Sequence, residues 1–145
     1  MAAHGDLDIG LAFARIARAQ RTKLAKSLAG IGLHPGQEQL LLALYEEDGM
    51  HQARLAEVLG IEAPTVTKML QRLEAAGFVE RTAHPSDGRA LCVHLTPAGS
   101  ALRRDVRRIW STVNRQALKG LSDRQQSTLR TTLASIAENL GDPLV

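Results

Sequence analysis

The 145-residue chain has a single cysteine, Cys92, which excludes an intrachain disulfide and a cysteine-based zinc cluster. No apolar run approaches the roughly 20 residues needed to cross a bilayer, so no membrane partner is expected. The opening Met-Ala-Ala-His-Gly-Asp lacks the basic region and apolar core of a secretory signal, and a cytoplasmic location follows by default. Catalytic signatures are missing as well. There is no G-x-S-x-G, no Walker loop, no H-E-x-x-H and no close carboxylate pair on an apolar helix face, so neither an enzyme nor a cofactor is expected. The histidines, at positions 4, 34, 51, 84 and 94, are scattered without metal-ligand spacing. No internal repeat or low-complexity linker divides the chain.

What remains is ordinary globular composition, 44% hydrophobic and 23% charged, in a length that suits one domain with a real core. A formal charge of +3 favours polyanions only mildly. Between Met50 and Thr96 the lysines and arginines (54, 68, 72, 81, 89) are matched by acids (57, 62, 74, 80, 87). Any affinity for nucleic acid must therefore come from which face carries the cations, not from total charge.

That same stretch is the most informative. Gln52 to Leu59 reads as a short helix with Leu55, Ala56 and Leu59 on one face, closed by Gly60. A second helix opens at Pro64, buries Val66, Met69, Leu70 and Leu73 at spacings of three and four, and stops at Gly77. Opposite its apolar stripe lie Pro64, Lys68, Gln71 and Ala75, with Thr65, Thr67 and Arg72 on the shoulders. Hydroxyl, amide and basic groups on the second of two helices joined by a tight turn form a helix-turn-helix pattern, suited to phosphates and base edges. Phe78 to Arg81 and Ala90 to Leu95 then read as a hairpin around the polar tip Thr82 to Arg89. Within it Asp87 is placed to orient the Arg89 guanidinium, and an exposed arginine on a projecting loop suits the minor groove. The fold expected is mainly α with a small β-hairpin wing.

Leu55-Ala56, Thr65-Val66-Thr67, Arg72-Leu73-Glu74, Gly77-Phe78-Val79-Glu80-Arg81, Asp87-Gly88-Arg89 and Leu95-Thr96-Pro97-Ala98-Gly99 resemble the consensus of the MarR family of bacterial transcription regulators. The resemblance covers nearly the whole chain and is most specific in the D-x-R tip and the L-T-x-x-G after it. It implies a winged helix-turn-helix flanked by N- and C-terminal dimerisation helices, on a pseudo-palindromic operator in double-stranded DNA. It assigns Thr65, Thr67, Lys68 and Arg72 to major-groove contact and Arg89 with Asp87 to the wing, and the helical angle adds Pro64 and Gln71 to the DNA-facing side of the recognition helix. His51, Gln52 and Arg54 are candidates for the DNA backbone, although His51 stands where the family often has Ser or Thr. The family's peroxide sensors carry their reactive cysteine near the first helix, where this chain has none.

The flanks fit a single domain over 1–145, with a reader at 33–96 and dimerisation helices at 8–30 and 97–141. Ile9 to about Ala29 is helical, with Ile9, Phe13, Ile16, Ala17, Leu24 and Leu28 along one side and Arg15, Arg18, Arg21, Lys23 and Lys26 on the others. His34-Pro35 begins a helix running to about Glu47, cored by Leu40, Leu41 and Leu44. The acids Glu46, Glu47 and Asp48 at its C-terminal end call for a cation from another element. Thr96 caps a helix of about 20 residues with Leu102, Val106, Ile109, Val113 and Ala117 as its seam and Trp110 beside it. Ser122 with Gln125 forms a capping box for the last helix, whose Leu129, Leu133, Ile136 and Leu140 make a packing seam.

More seam is present than a small winged domain covers, so a homodimer through Phe13, Ile16, Leu129, Leu133, Ile136 and Leu140 is expected. The resemblance further implies release by a small phenolic or carboxylate effector, for which Arg15 and His34 are the candidates. Two alternatives stand beside this reading. One is a metal- or redox-responsive regulator, in which His84, His94 and Cys92 converge across the wing. The other is a winged-helix protein-binding adaptor, which would need an apolar recognition helix that these residues do not supply.

Overall fold

A computed structural model describes residues 2–142, with side chains described from residue 7 onward. Its elements run α1 (Ala2–Ala29), α2 (Gln37–Glu46), β1 (Met50–His51), α3 (Gln52–Leu59), α4 (Ala63–Ala75), β2 (Val79–Ala83), β3 (Leu91–Leu95), α5 (Pro97–Ala101), α6 (Arg103–Ala117) and α7 (Asp123–Asn139). They fall into two compact units that divide within α6, one ending at Val113 and the other starting at Asn114.

The first unit holds the core. Leu28, Leu40, Leu41, Leu55, Val66, Leu70, Leu73, Val93 and Val106 have no exposed surface, and Leu24, Leu33, Leu44, Val79 and Ile109 are nearly as enclosed. At about 25 cal/mol per Å² of apolar surface removed from water, this cluster is what fixes α3 and α4 against α2 and the sheet. The turn between α3 and α4 depends on Gly60, left-handed at φ 63°, whose amide reaches back to the carbonyls of Ala56 and Glu57.

The sheet is antiparallel in the order β1-β3-β2, with Val79 opposite Leu95 and Ala83 opposite Leu91. The hairpin is as expected, but the third strand is not. Met50 and His51 pair with Val93 and Cys92, a contact two residues long that leaves no periodicity to read.

Three helix boundaries differ from expectation. The second helix starts at Gln37 rather than His34-Pro35. Gly36 is left-handed at φ 97°, the Gln37 side chain accepts the His34 amide at 2.9 Å, and Glu38 accepts the Gly36 amide at 2.7 Å. The long helix after the wing is broken at Leu102, because the Thr96-capped turn closes on itself, with the Leu102 amide bonding the Gly99 carbonyl. The first helix begins at Ala2, earlier than Ile9.

The L-T-x-x-G segment has a steric logic. A Cβ on Gly99 would collide with the Phe78 carbonyl, so only glycine lets α5 lie on the backbone entering β2. Thr96 accepts the Gly99 amide at 3.1 Å and Tyr45 donates to the Gly99 carbonyl at 2.8 Å, tying α2 and α5 to the root of the wing. Burial pushes the Tyr45 phenol up to about 12, against the opposing pull of Arg103.

The acid cluster ending α2 is compensated as its charge requires. Arg107 pairs with Glu46 at 2.7 Å, Arg54 lies 3.9 Å from Glu47, and Asp48 accepts the Leu95 amide. In the second unit α7 starts on the expected capping box, Ser122 and Gln125 bonding reciprocally, yet buries no residue. Among the described residues no helix is long and apolar enough to cross a membrane.

Candidate nucleic-acid interface

In α4 the burial pattern separates two faces. Val66, Leu70 and Leu73 are fully buried, whereas Pro64, Thr65, Lys68, Gln71 and Arg72 are exposed. No carboxylate in the described residues pairs with Lys68, Arg72 or Arg89, so these charges remain available to phosphates or guanine edges.

Thr67 behaves differently from its neighbours. It is half-buried, and its hydroxyl donates to the Ala63 carbonyl at 3.1 Å and accepts from Gln52 Nε2 at 2.9 Å. With both functions engaged it braces α4 against α3 rather than facing outward as expected. Gln52 is likewise a node: its Oε1 accepts from Arg81 at 3.4 Å. Arg81 in turn grips Glu74 through two bonds, Nε to Oε1 at 2.6 Å and a second nitrogen to Oε2 at 3.1 Å. The bidentate bond from Arg81 holds the Glu74 carboxyl below its usual range, despite partial burial acting the other way. One arginine therefore ties β2 to both helices of the motif. The sequence showed it only as one of five cations.

At the wing, Asp87 does not touch the Arg89 guanidinium. Its Oδ1 accepts the Arg89 backbone amide at 3.1 Å, which shapes the tip and leaves the side chain exposed. Arg89 and Leu91 border one open depression of about 310 Å³ with Gln52, Ala53 and Ala63, so the wing tip and the starts of α3 and α4 share a concave surface. His51 occupies the N-cap of α3 without capping it, which leaves first-turn amides free for an anion. Arg54 is exposed beside Glu47.

His94 does not join Cys92 as anticipated. It packs over Gly49, while ligand atoms of His51, His84 and Cys92 all lie within 4.8 Å of one another. Cys92 is 7% exposed, so the accessible thiolate that a redox sensor requires is not offered.

The two effector candidates are not brought together. Arg15 is exposed on a depression shared with Arg18, Thr22, Lys23 and Lys26, a cationic surface and not an apolar cleft, and His34 lies on neither that depression nor the cavity described next. A cavity of about 230 Å³ sets a cation, Arg21, against the apolar Ala17, Leu24, Pro35 and Trp110, with Gln20, Gln39 and Glu38 also on its wall. Among the described residues Trp110 Nε1 is buried with no acceptor, and the Glu38 carboxyl is raised by burial, opposed by the Glu38 and Gly36 amides and by the Arg21 charge. Nothing in the periodicity of α1 or α6 distinguished Arg21 from its basic neighbours.

The apolar residues assigned to an interface are exposed in the single chain: Phe13 at 39%, Ile16 at 65%, Leu129 and Leu133 at 37%, and Leu140 at 79%, with Ile136 half-buried.

Residues 33–91 match the family model described as MarR family. The chain is similar to a MarR transcriptional regulator from Methanosarcina mazei, at 30% identity and TM-score 0.85 over 90% of this chain and 94% of that one. It is also similar to the repressor CouR bound to a 23-mer DNA duplex, at 30% identity and TM-score 0.81 over 88% and 91% of the two chains. CouR from Rhodococcus jostii has also been solved with p-coumaroyl-CoA, and that form aligns at 25% identity and TM-score 0.78 over 89% and 91%. Among curated relatives, the regulator TtmR of Methylorubrum extorquens is 32% identical over 70% of this chain, which spans only 51% of its length.

Proposed function

The chain belongs to the MarR family of transcription regulators, and from that premise we propose that it is a homodimeric repressor acting on a near-palindromic operator in the cytoplasm. It reads as one domain, with residues 33–96 as the reader and 8–30 and 97–141 supplying dimer contacts. Its relatives are regulators and not enzymes.

The observation that carries the reading is the pairing of an exposed, unneutralised polar face on α4 with an arginine-tipped loop bordering the same depression as the start of that helix. Thr65, Lys68, Gln71 and Arg72 read base edges or phosphates in the major groove. Arg89 enters the adjoining minor groove, its loop shaped by Asp87. The free amides at the start of α3 take a phosphate, with Arg54 nearby. Because the stretch from Met50 to Thr96 carries no net charge, affinity comes from two copies whose recognition helices stand about 34 Å apart on successive half-sites.

For the effector, CouR with p-coumaroyl-CoA supports an aromatic, anionic molecule. Arg21 and Trp110 Nε1, which has no partner among the described residues, form the better-suited site for an anionic group of such a molecule, in place of Arg15 and His34, although Glu38 lines the same cavity. Binding there favours a separation of the reading heads that does not match the operator.

Fluorescence anisotropy on the intergenic DNA beside the gene, at two salt concentrations, tests the proposal. The expected result is two chains per inverted repeat, affinity falling with salt, and release by an aromatic carboxylic acid. Equal binding to a scrambled duplex would overturn the regulator reading. Unchanged operator affinity and melting temperature with aromatic acids would remove the effector clause alone.

A further inference from the structure

His51, His84 and Cys92 come from three separate parts of the sequence and meet at the root of the wing. Their ligating atoms all lie within 4.8 Å of one another. The β1–β3 register sets Cys92 directly opposite His51, and the two imidazoles stand with ring centroids 4.6 Å apart, tilted by 35°. Both the Ser86 amide, at 3.2 Å, and the Ser86 hydroxyl, at 2.9 Å, engage His84 Nδ1, which leaves Nε2 as the nitrogen open to an ion. No charged group in the described residues pairs with either histidine, and His51 is exposed on the open depression beside Arg89, which gives solvent a route to the cluster.

We propose that His51, His84 and Cys92 form a binding site for a borderline transition-metal ion, zinc(II) in particular, and that the bound ion holds the DNA-contacting wing in place. Two imidazoles and one thiolate are a donor set that zinc accepts, with a fourth position left for water. On a tetrahedral ion, nitrogens at about 2.1 Å and sulfur at about 2.3 Å stand roughly 3.4 to 3.6 Å apart. The side chains therefore need to close by about an ångström, which rotamer adjustment of the exposed His51 and the wing-borne His84 supplies. Zinc takes the place of the Cys92 thiol proton, which leaves to solvent.

The placement gives the ion a mechanical role. His84 and Cys92 bracket the loop that carries Arg89, and His51 ties that bracket to the first residue of α3. An ion joining all three fixes both ends of the tip relative to the helix-turn-helix, so part of the ordering cost of DNA binding is met beforehand. Zinc therefore acts as a co-repressor. This role rests on the operator-binding function proposed above; the site itself does not.

The test uses the full chain stripped with chelator, first without DNA. Cobalt(II) is expected to give a thiolate charge-transfer band and tetrahedral d–d bands at one ion per chain. Zinc is expected to displace it with sub-micromolar affinity. His51→Gln and His84→Gln, both at accessible positions, are expected to weaken zinc at least a hundredfold with unchanged melting of the metal-free protein, and Cys92→Ala to abolish the charge-transfer band. His94→Gln, on the same strand but over Gly49, is expected to bind as wild type. Absence of the charge-transfer band, or zinc affinity unaffected by His84→Gln, overturns the site.

Operator anisotropy then reads the role. At least fivefold tighter binding with one equivalent of zinc, absent in His84→Gln, supports the co-repressor assignment. Metal binding with no change in operator affinity overturns it. A protein that does not recognise its operator either with or without zinc defeats the regulator reading instead, while the cobalt spectrum still decides the site.

Discussion

Helices α4 and α7 obey the same sequence rule and meet opposite fates. Each carries leucines and other apolar residues three and four apart, with polar residues elsewhere. In α4 the stripe is closed off by its own chain, Val66, Leu70 and Leu73 being 0% exposed. In α7 nothing is buried: Leu129 and Leu133 stand 37% exposed, and Leu140, just past its end, 79%. The N-terminal half of α1 shares that state, with Leu7, Ile9, Leu11, Phe13 and Ile16 all exposed. The same amphipathic pattern therefore gives intrachain packing where a complementary face exists and an exposed apolar stripe where none does. The helix-turn-helix covers its own apolar face, whereas the flanking helices leave theirs exposed.

Breaking the exposed seam is expected to give the largest effect. Leu133→Asp places a charge where a partner's apolar surface should sit, so the chain should run as a monomer in sedimentation. Operator affinity should fall by about 3 kcal/mol or more as one half-site is lost, while the melting of the isolated reader core stays cooperative. A monomer with undiminished operator binding would mean that α7's exposure has nothing to do with reading DNA. Next in size is Arg89→Ala, which touches the other kind of exposed group. Because that side chain contacts no carboxylate in its own chain, its removal should cost operator affinity about 1 to 3 kcal/mol and leave dimerisation and stability unchanged. Lost stability would show that the wing is part of the scaffold.

How much of this was legible depended on the range of the interaction. Patterns local to a helix came through: α3 and α4, the Gly60 turn, the Thr96 and Ser122 caps and the hairpin follow from periods and breakers within a few residues. Elements set by distant partners did not. Strand β1 exists only because Met50 and His51 find Val93 and Cys92 some forty residues on. The start of α2 shifted because the Gln37 and Glu38 side chains fold back onto preceding amides. The site divided in the same way. Exposure of Lys68, Gln71, Arg72 and Arg89 follows from helical angle and turn composition. The inward engagement of Thr67, the contact of Asp87 with an amide and the choice of His51 over His94 beside Cys92 depend on rotamers and register that no single stretch reveals.

The smallest expected effects sharpen the picture of how the reader is held together, through two carboxylates that pull in opposite directions. Glu74 is held below its ordinary value by the bidentate bond from Arg81, so its contribution to stability is fully present above about pH 4.5 and is lost as pH falls through its depressed folded value. Glu74→Gln should lower stability at neutral pH by about 1 kcal/mol, and the gap from wild type should close as melting is followed down from pH 5.5 to 3. Glu38 is raised, chiefly by burial, so in the folded chain its charged form is disfavoured and stability declines as pH climbs from about 4.5 through the raised value. Glu38→Gln, which can still accept the Gly36 amide, should therefore flatten that decline and leave the protein no less stable at pH 7. Parallel pH–melting curves for both variants would show that neither carboxylate is coupled to folding, and would remove the Arg81 node from the forces that keep α4 aligned with the wing.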